Sequence, residues 1–238
     1  MGELKVKDKD IVVPGDELAD GMDFLPAGGA FREGDKIIAS QVGVISVNGR
    51  LIKLVPLNAK YTPKKGDMVI GKVAAITNNG WFVDIGYSNE AFIPLRDGSM
   101  EYIPKGADLV QYYDYNDYVV ADITRVSKDK EIDLSMKGPG LRKLSEGRII
   151  KVNSAKVPRI IGKQGSMISM IKQMTDCRVI VGQNGYVWIY GVDPVKELVA
   201  VDAIKRIEER AHIHGLTDEI KTYLENKVGV KNAVQQTI

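Results

Sequence analysis

The stretch Ile161-Gly162-Lys163-Gln164-Gly165-Ser166-Met167-Ile168 decides how the C-terminal part of the chain is read. Its two glycines interrupt one helical pattern and let another begin at once, so the stretch reads as a tight loop between two helices. Upstream, Val157-Pro158-Arg159-Ile160-Ile161 reads as a short helical turn. Downstream, Ser166–Thr175 carries Met167, Ile168, Ile171 and Met174 on one side. A strand at Ile149–Val152 precedes this pair. Strands Arg178–Val181 and Tyr186–Tyr190 follow it, joined across Gln183-Asn184-Gly185, an Asn-Gly hairpin signal. Asp193-Pro194 then pairs an aspartate N-cap with proline at the first helical position. Val195, Val199, Ala203, Ile207 and Ala211 give the next helix an apolar stripe, with Leu198 and Ile204 beside it. The order is β-α-α-β-β-α over 141–215. Beyond it, 216–238 reads as a short helix from Thr217 to about Asn226 and a tail from Gly229.

Charge sets this region apart. Residues 1–64 are neutral and 65–140 carry a net −4, whereas 141–238 carry a net +6. Segment 142–178 holds nine basic groups against Glu146 and Asp176. This is either a footprint for a polyanion or a solvated basic face. In favour of the first, two glycines without side chains let a sugar-phosphate backbone approach the main chain. The following helix then points its amide groups at a phosphate. Lys163 would add a point charge there, and Arg159 and Lys172 would extend the positive wall.

Working outward, residues 64–140 read as a five-stranded barrel: Met68–Ile76, Trp81–Gly86, Glu90–Pro94, Val119–Val126 and Glu131–Met136. Gly71 sits inside the first strand, where closure needs a bend. In Trp81-Phe82-Val83-Asp84-Ile85 alternation puts Trp81, Val83 and Ile85 on the core face and leaves Phe82 outside with Asp84. An outward phenylalanine either stacks a base or packs under a loop or another domain. Lys72, Arg96 and Arg125 could supply charge near it. Tyr112, Tyr113, Tyr115 and Tyr118 sit among acidic residues and suit a protein surface or a barrel-edge packing cluster. Residues 1–63 read as a small all-β domain, a barrel or sandwich, broken at Pro14-Gly15, at Pro26 and at Gly28-Gly29, with a hairpin across Asn48-Gly49-Arg50, where the Asn-Gly pair is the turn signal. Tyr61–Gly66 reads as the linker. The fold class is therefore multidomain, mainly β with an α+β C-terminal domain.

Gly71-Lys72-Val73, Gly80-Trp81-Phe82-Val83-Asp84-Ile85, Glu90-Ala91-Phe92-Ile93-Pro94 and Asp133-Leu134-Ser135-Met136-Lys137 together resemble the RNA-binding OB fold of the ribosomal S-one type. In that family the aromatic at the Phe82 position lies on the RNA face, while histidine often stands where this chain has Pro94. The C-terminal domain resembles a KH domain, whose GXXG loop, here Gly162–Gly165, clamps about four nucleotides. With Ile11–Asp16, Tyr61–Pro63 and Gly66–Gly71, the two modules resemble the RNA-binding cap subunits of the archaeal RNA exosome. That resemblance implies a cytoplasmic, non-catalytic subunit, three copies of which sit on a hexameric ring of RNase-PH-type subunits. They guide single-stranded RNA toward the pore, and the N-terminal domain makes much of the ring contact. The resemblance implies RNA contacts from the loop Gly162, Lys163, Gln164 and Gly165 and from Phe82; the charge reading adds Arg159, Lys172, Lys72, Arg96 and Arg125 as candidate RNA contacts.

The residues also exclude chemistry. There is no carboxylate cluster at two-metal spacing, no Walker loop and no nucleophile elbow, and the two histidines are too few for acid–base work. No cofactor, metal or small-molecule substrate is expected. His212 and His214 read as helix-dipole partners, and the single cysteine, Cys177, as a buried small hydrophobe that suits a reducing compartment. No run is long and apolar enough to span a membrane. The competing readings are a free-standing translation or ribosome-associated factor, a nuclease related to polynucleotide phosphorylase, and an adaptor that keeps the fold without binding RNA.

Overall fold

A computed structural model describes residues 2–58, 60–211 and 215–234. It divides into two compact units, Met1–Lys60 and Tyr61–Ile238.

The first unit is all β. Strands β1 (Glu3–Leu4), β2 (Ile11–Val12), β3 (Glu17–Asp20), β4 (Leu25–Gly28), β5 (Ala30–Glu33), β6 (Lys36–Ala39), β7 (Gly43–Asn48) and β8 (Leu51–Pro56) form two four-stranded sheets. Their orders are β1-β3-β6-β5 and β2-β7-β8-β4. Leu18, Ile37, Ile45, Ile52 and Leu54 fill the core between them. Two sequence expectations shift here. Pro26 and Gly28, read as a break, lie inside β4, an edge strand parallel to β8, where proline costs no ladder bond. The β7–β8 hairpin is present and turns on Gly49-Arg50, while Asn48, read as part of the connection, belongs to β7. Asn48 still pairs with Leu51, and of the turn residues only Gly49 has a positive φ, of 60°.

The second unit opens with the barrel. Strands β9 (Met68–Thr77), β10 (Gly80–Asp84), β11 (Ala91–Pro94), β12 (Tyr118–Val126) and β13 (Ile132–Ser135) run in the order β13-β11-β10-β9-β12, and a β12–β13 pairing closes it. Trp81, Val83, Ile85, Ile93, Ile123 and Leu134 are fully buried inside. Gly71 is needed for space: a Cβ there would lie 2.3 Å from Val83 Cγ1 and 3.0 Å from Ile85 Cγ2. The four tyrosines part company: Tyr113 and Tyr112 pack against the barrel core, Tyr118 joins the cluster around Trp188, and Tyr115 is 55% exposed. Tyr113 is buried edge-on to Trp81, its hydroxyl donates to Gly98 O at 2.7 Å, and Trp81 Nε1 donates to Tyr113 O at 3.1 Å.

Strand β14 (Arg142–Leu144) joins β12 and leads into the α+β part. This comprises β15 (Arg148–Lys151), α1 (Val157–Ile161), α2 (Ser166–Thr175), β16 (Arg178–Val181), β17 (Tyr186–Tyr190), α3 (Pro194–Glu209) and α4 (Leu216–Val234). The sheet order is β15-β17-β16. One sheet face, with Val179, Val181, Val187 and Ile189, packs under the helices. Cys177 joins that core, and burial raises the pKa of its thiol. Asp193 caps α3, accepting the Val195 amide at 2.9 Å.

Most of the α3 stripe lies where the sequence puts it: Ala203, Ile204, Ile207 and Ala211 are buried and Val199 packs against the core, joined by Ala200. Val195 and Leu198, near the start of the helix, are 38% and 48% exposed. A row of residues at spacing four drifts around a helix of 3.6 residues per turn, so its first member stands outside the face that the later ones bury. The C-terminal helix is also longer than expected. It continues through Gly229 to Val234, and its Leu216, Ile220 and Leu224 enter the core. His212 and His214 lie outside the described residues.

The other face of the three-stranded sheet is covered by the barrel. Trp188 is buried against Ile70, Val120 and Leu144, with Tyr186, Tyr190, Ile149 and Ile180 around it. The β16–β17 loop docks there too. Gln183 N donates to Met68 O at 2.8 Å. The buried Asn184 side chain accepts from Ile70 N at 3.3 Å and donates to Ile70 O at 2.7 Å and to Ile85 O at 2.9 Å. Barrel and α+β part thus share one core seam.

Candidate nucleic-acid interface

The loop between α1 and α2 is built by its glycines. Gly162 has φ 75° and ψ 175°, and a Cβ there would meet Met167 N and Cβ at 2.7 Å. Gly165 has open space but a left-handed φ of 80°, which L side chains rarely adopt. Between them Gln164 is also left-handed, at φ 53° and ψ 29°. The turn is closed by Gly165 N donating to Gly162 O at 3.2 Å. Lys163 and Gln164 consequently stand out into solvent. The first turn of α2 contains no acidic residue, and its N-cap, Gly165, offers no side-chain acceptor. Its amide end is therefore open to an external anion.

Arg159, Gly162 and Lys163 line a cleft of about 370 Å³ together with Ser166 and Met167. Its opposite wall is Gly215-Leu216-Thr217, the start of α4, which the sequence reading did not connect with the loop. Lys172 is exposed on α2 and does not line the cleft. Six residues beyond Ser166, it stands about 9 Å further along the axis. Arg159, Lys163 and Lys172 have no salt-bridge partner among the described residues.

On the barrel, Phe82 is half-buried and faces outward as alternation requires. It is directly opposite Phe92 in the β10–β11 ladder, and the two rings lie 5.0 Å apart at 47°. Phe92 escaped the sequence reading, although the same alternation, with Ala91 and Ile93 inward, marks it. The result is a two-ring ledge.

The charges proposed around the ledge differ in availability. Arg125 Nε is 2.9 Å from Asp133 Oδ2, and its Nη2 is 3.8 Å from Glu131. Asp133 pairs with Phe92 in the ladder, so this cation is close to the ledge but offset by two carboxylates. Arg96 sits in the 3₁₀ turn after β11, bound to Asp97 at 3.0 Å. Lys72 is opposite both Asp84 and Tyr118 in the ladders of β9 and has no ion-pair partner among the described residues. The barrel therefore presents aromatic surface with little free charge, and the α1–α2 loop presents free charge on an open backbone.

No cluster of His, Cys, Asp or Glu able to hold a metal occurs among the described residues. No helix among them is long and apolar enough to cross a membrane.

Comparison with known proteins aligns with these two surfaces. The family model of the S1 RNA binding domain matches residues 62–137, and that of the KH domain matches residues 147–195. Over 231 residues the chain is 39% identical to exosome complex component Rrp4 of Pyrococcus furiosus, covering 96% of this chain and 87% of that protein. Over 222 residues it is 40% identical to Rrp4 of Methanothermus fervidus, covering 93% and 97%. A crystal structure described as an exosome complex RNA-binding protein superposes with a TM-score of 0.65 at 31% identity, covering 73% of this chain and 99% of that one.

Proposed function

From the premise that this chain belongs to the Rrp4 family of exosome complex components, we propose how its two surfaces divide the work of holding RNA. The protein is a non-catalytic, RNA-binding exosome subunit, with an S1-type barrel and a KH domain as its binding modules. The Gly162–Gly165 loop grips the sugar-phosphate backbone. Lys163 and Arg159 supply charge across the cleft, the amide end of α2 receives a phosphate, and Lys172 extends the path along the helix. The Phe82–Phe92 ledge receives a base by stacking, and Lys72, Arg96 and Arg125 tune the potential beside it. The observation that carries this reading is the loop itself, where both glycines are conformationally required and both intervening side chains are free.

Residues 1–63 form the domain that contacts the rest of the complex. That partner is a ring of RNase-PH-type subunits, which carries three copies of this chain and threads single-stranded RNA into its pore in the cytoplasm. Three copies around one pore turn the second contact on a strand into an intramolecular event, so modest single-site affinity suffices. The test is native mass spectrometry of the protein isolated from its own cells. The expected species contains ring subunits and three copies of this chain; a free monomer would overturn the assembly reading in favour of a free-standing factor.

The ledge gives a second test. Phe82→Ala removes one stacking face, and stacking contributes about 1–3 kcal/mol per base. Because half of the ring is already spent on Phe92, the expected loss lies at the lower end, about fivefold in affinity for a single-stranded oligonucleotide by fluorescence anisotropy. Unchanged affinity with an unchanged melting temperature would return Phe82 to a packing role.

A further inference from the structure

The seam between barrel and KH sheet leaves a groove of about 290 Å³ on its outer side, lined by Arg142, Lys143, Ser145, Glu146, Arg178 and the Trp188–Tyr190 pair. Resting on the RNA-binding reading above, we infer that this groove is a further nucleotide subsite, separate from the GXXG loop and from the phenylalanine ledge.

The aromatic floor comes first. Trp188 and Tyr190 project from the same side of β17, and their rings lie parallel within 9° at a centroid distance of 6.0 Å. Trp188 is held in place. It is 5% exposed, its Nε1 donates to Glu146 O at 2.6 Å, and the Arg142 guanidinium lies 5.4 Å over its ring. Tyr190 stacks on it, lines the groove and is half-buried. The buried tryptophan thus backs a tyrosine whose open side a base can stack on without ordering a mobile side chain.

The charges are placed to match. Arg178 stands directly across from Tyr190 in the β16–β17 ladder. Arg142 enters from β14. Both are exposed, and neither has a carboxylate partner among the described residues. Two neighbouring cations are spoken for: Lys143, in the groove itself, pairs with Asp117, and Arg148 with Glu197. Two unpaired guanidiniums flanking a stacking floor suit a base with its neighbouring phosphates, which guanidinium forks bind in a bidentate manner. Glu146, exposed and also in the lining, disfavours phosphate beside its carboxylate. The loop and Arg178 lie at opposite ends of α2, about 15 Å apart along a ten-residue helix. One strand engaging both ends gains by effective concentration.

The experiment uses the full chain and a fluorescein-labelled oligouridylate, titrated by anisotropy at several salt concentrations, with photo-crosslinking and peptide mapping. Arg178→Gln is the primary variant, because its side chain is exposed and has no ion-pair partner among the described residues; Arg142→Gln/Arg178→Gln is the second. The subsite predicts a loss of about fivefold or more in the double variant and a salt slope shallower by about 0.7 for each phosphate contact removed. It also predicts a uridine crosslink on Tyr190 that the double variant loses. Wild-type affinity, slope and crosslink pattern in both variants would overturn the subsite while leaving RNA binding intact. Failure of the unaltered chain to bind the oligonucleotide would instead overturn the RNA reading on which the subsite rests.

Discussion

Asn184→Ala is expected to lower the stability of the second unit by on the order of 3 kcal/mol, and to split one unfolding transition into two. The side chain makes three hydrogen bonds, all to the main chain of the barrel, from a site 4% exposed. Truncation leaves the Ile70 amide and the Ile70 and Ile85 carbonyls without this partner, and each unsatisfied buried group costs about 1–3 kcal/mol. Relaxation and entering water recover part of that sum. What remains is still a large share of the roughly 5–15 kcal/mol that holds a domain together. The two tryptophans report the two halves, Trp81 in the barrel core and Trp188 in the seam. Urea denaturation of single-tryptophan variants should therefore show Trp188 emission changing before Trp81 emission in the Asn184→Ala background, and together in the parent. A coincident, unshifted midpoint would mean that the apolar seam alone fixes the two modules.

Asn184→Asp adds a pH signature. The introduced carboxyl would keep the acceptor but turn its other oxygen toward two carbonyls. Burial and those oxygens disfavour the charged form, so its folded pKa rises above the ordinary aspartate value of about 3.9. The folded state then binds the proton more tightly than the unfolded state, and stability falls as pH rises from the unfolded value through the folded one. At neutral pH the variant should be less stable than Asn184→Ala; below about pH 4 the order should close or reverse.

This asparagine shows where sequence reading stops. Asn184-Gly185 announces a turn, and the turn is there: Gly185 has a φ of 86°. Local rules explain an asparagine in a turn completely, so nothing flags that its amide reaches another module more than a hundred residues away in sequence. The companion signal was present in Tyr186-Val187-Trp188-Ile189-Tyr190, an unbroken apolar run. A strand with one solvated face alternates, and a continuous run means both faces are covered. Phe82 and Phe92 illustrate the opposite case, where alternation alone places both rings outside. Charge was legible as a sum and not as a distribution. The excess over 142–178 includes Lys143 and Arg148, which carboxylates from distant segments neutralise, and Arg142 and Arg178, which no carboxylate among the described residues pairs. Pairing is a property of the tertiary structure, so only the net value can be read from a string of residues.

Lys163→Asp/Gln164→Asp is expected to weaken binding of single-stranded RNA by about ten- to a hundredfold at moderate salt while leaving the fold unchanged. Both side chains are exposed, and neither enters the core. Gln164 adopts φ 53° and ψ 29°, a left-handed conformation that aspartate tolerates better than glutamine, so the backbone of the loop is retained. The electrostatic change is large: one positive charge becomes two negative ones at the mouth of the cleft, beside the uncapped amide end of α2. A phosphate approaching that end meets repulsion where it met attraction. The introduced carboxylates can also occupy the helix end themselves. The deficit should shrink as salt rises, because screening acts on repulsion and attraction alike, and the salt slope of the variant should be shallower than that of the parent. Lys163→Ala/Gln164→Ala removes the attraction without adding repulsion and should fall between the two. Ring assembly should not respond, since the loop belongs to the second unit and the proposed ring contact to the first. Parent-like affinity in the aspartate pair, with assembly intact, would leave the loop a structural turn and assign the RNA contact to other surfaces of the chain, the phenylalanine ledge first among them.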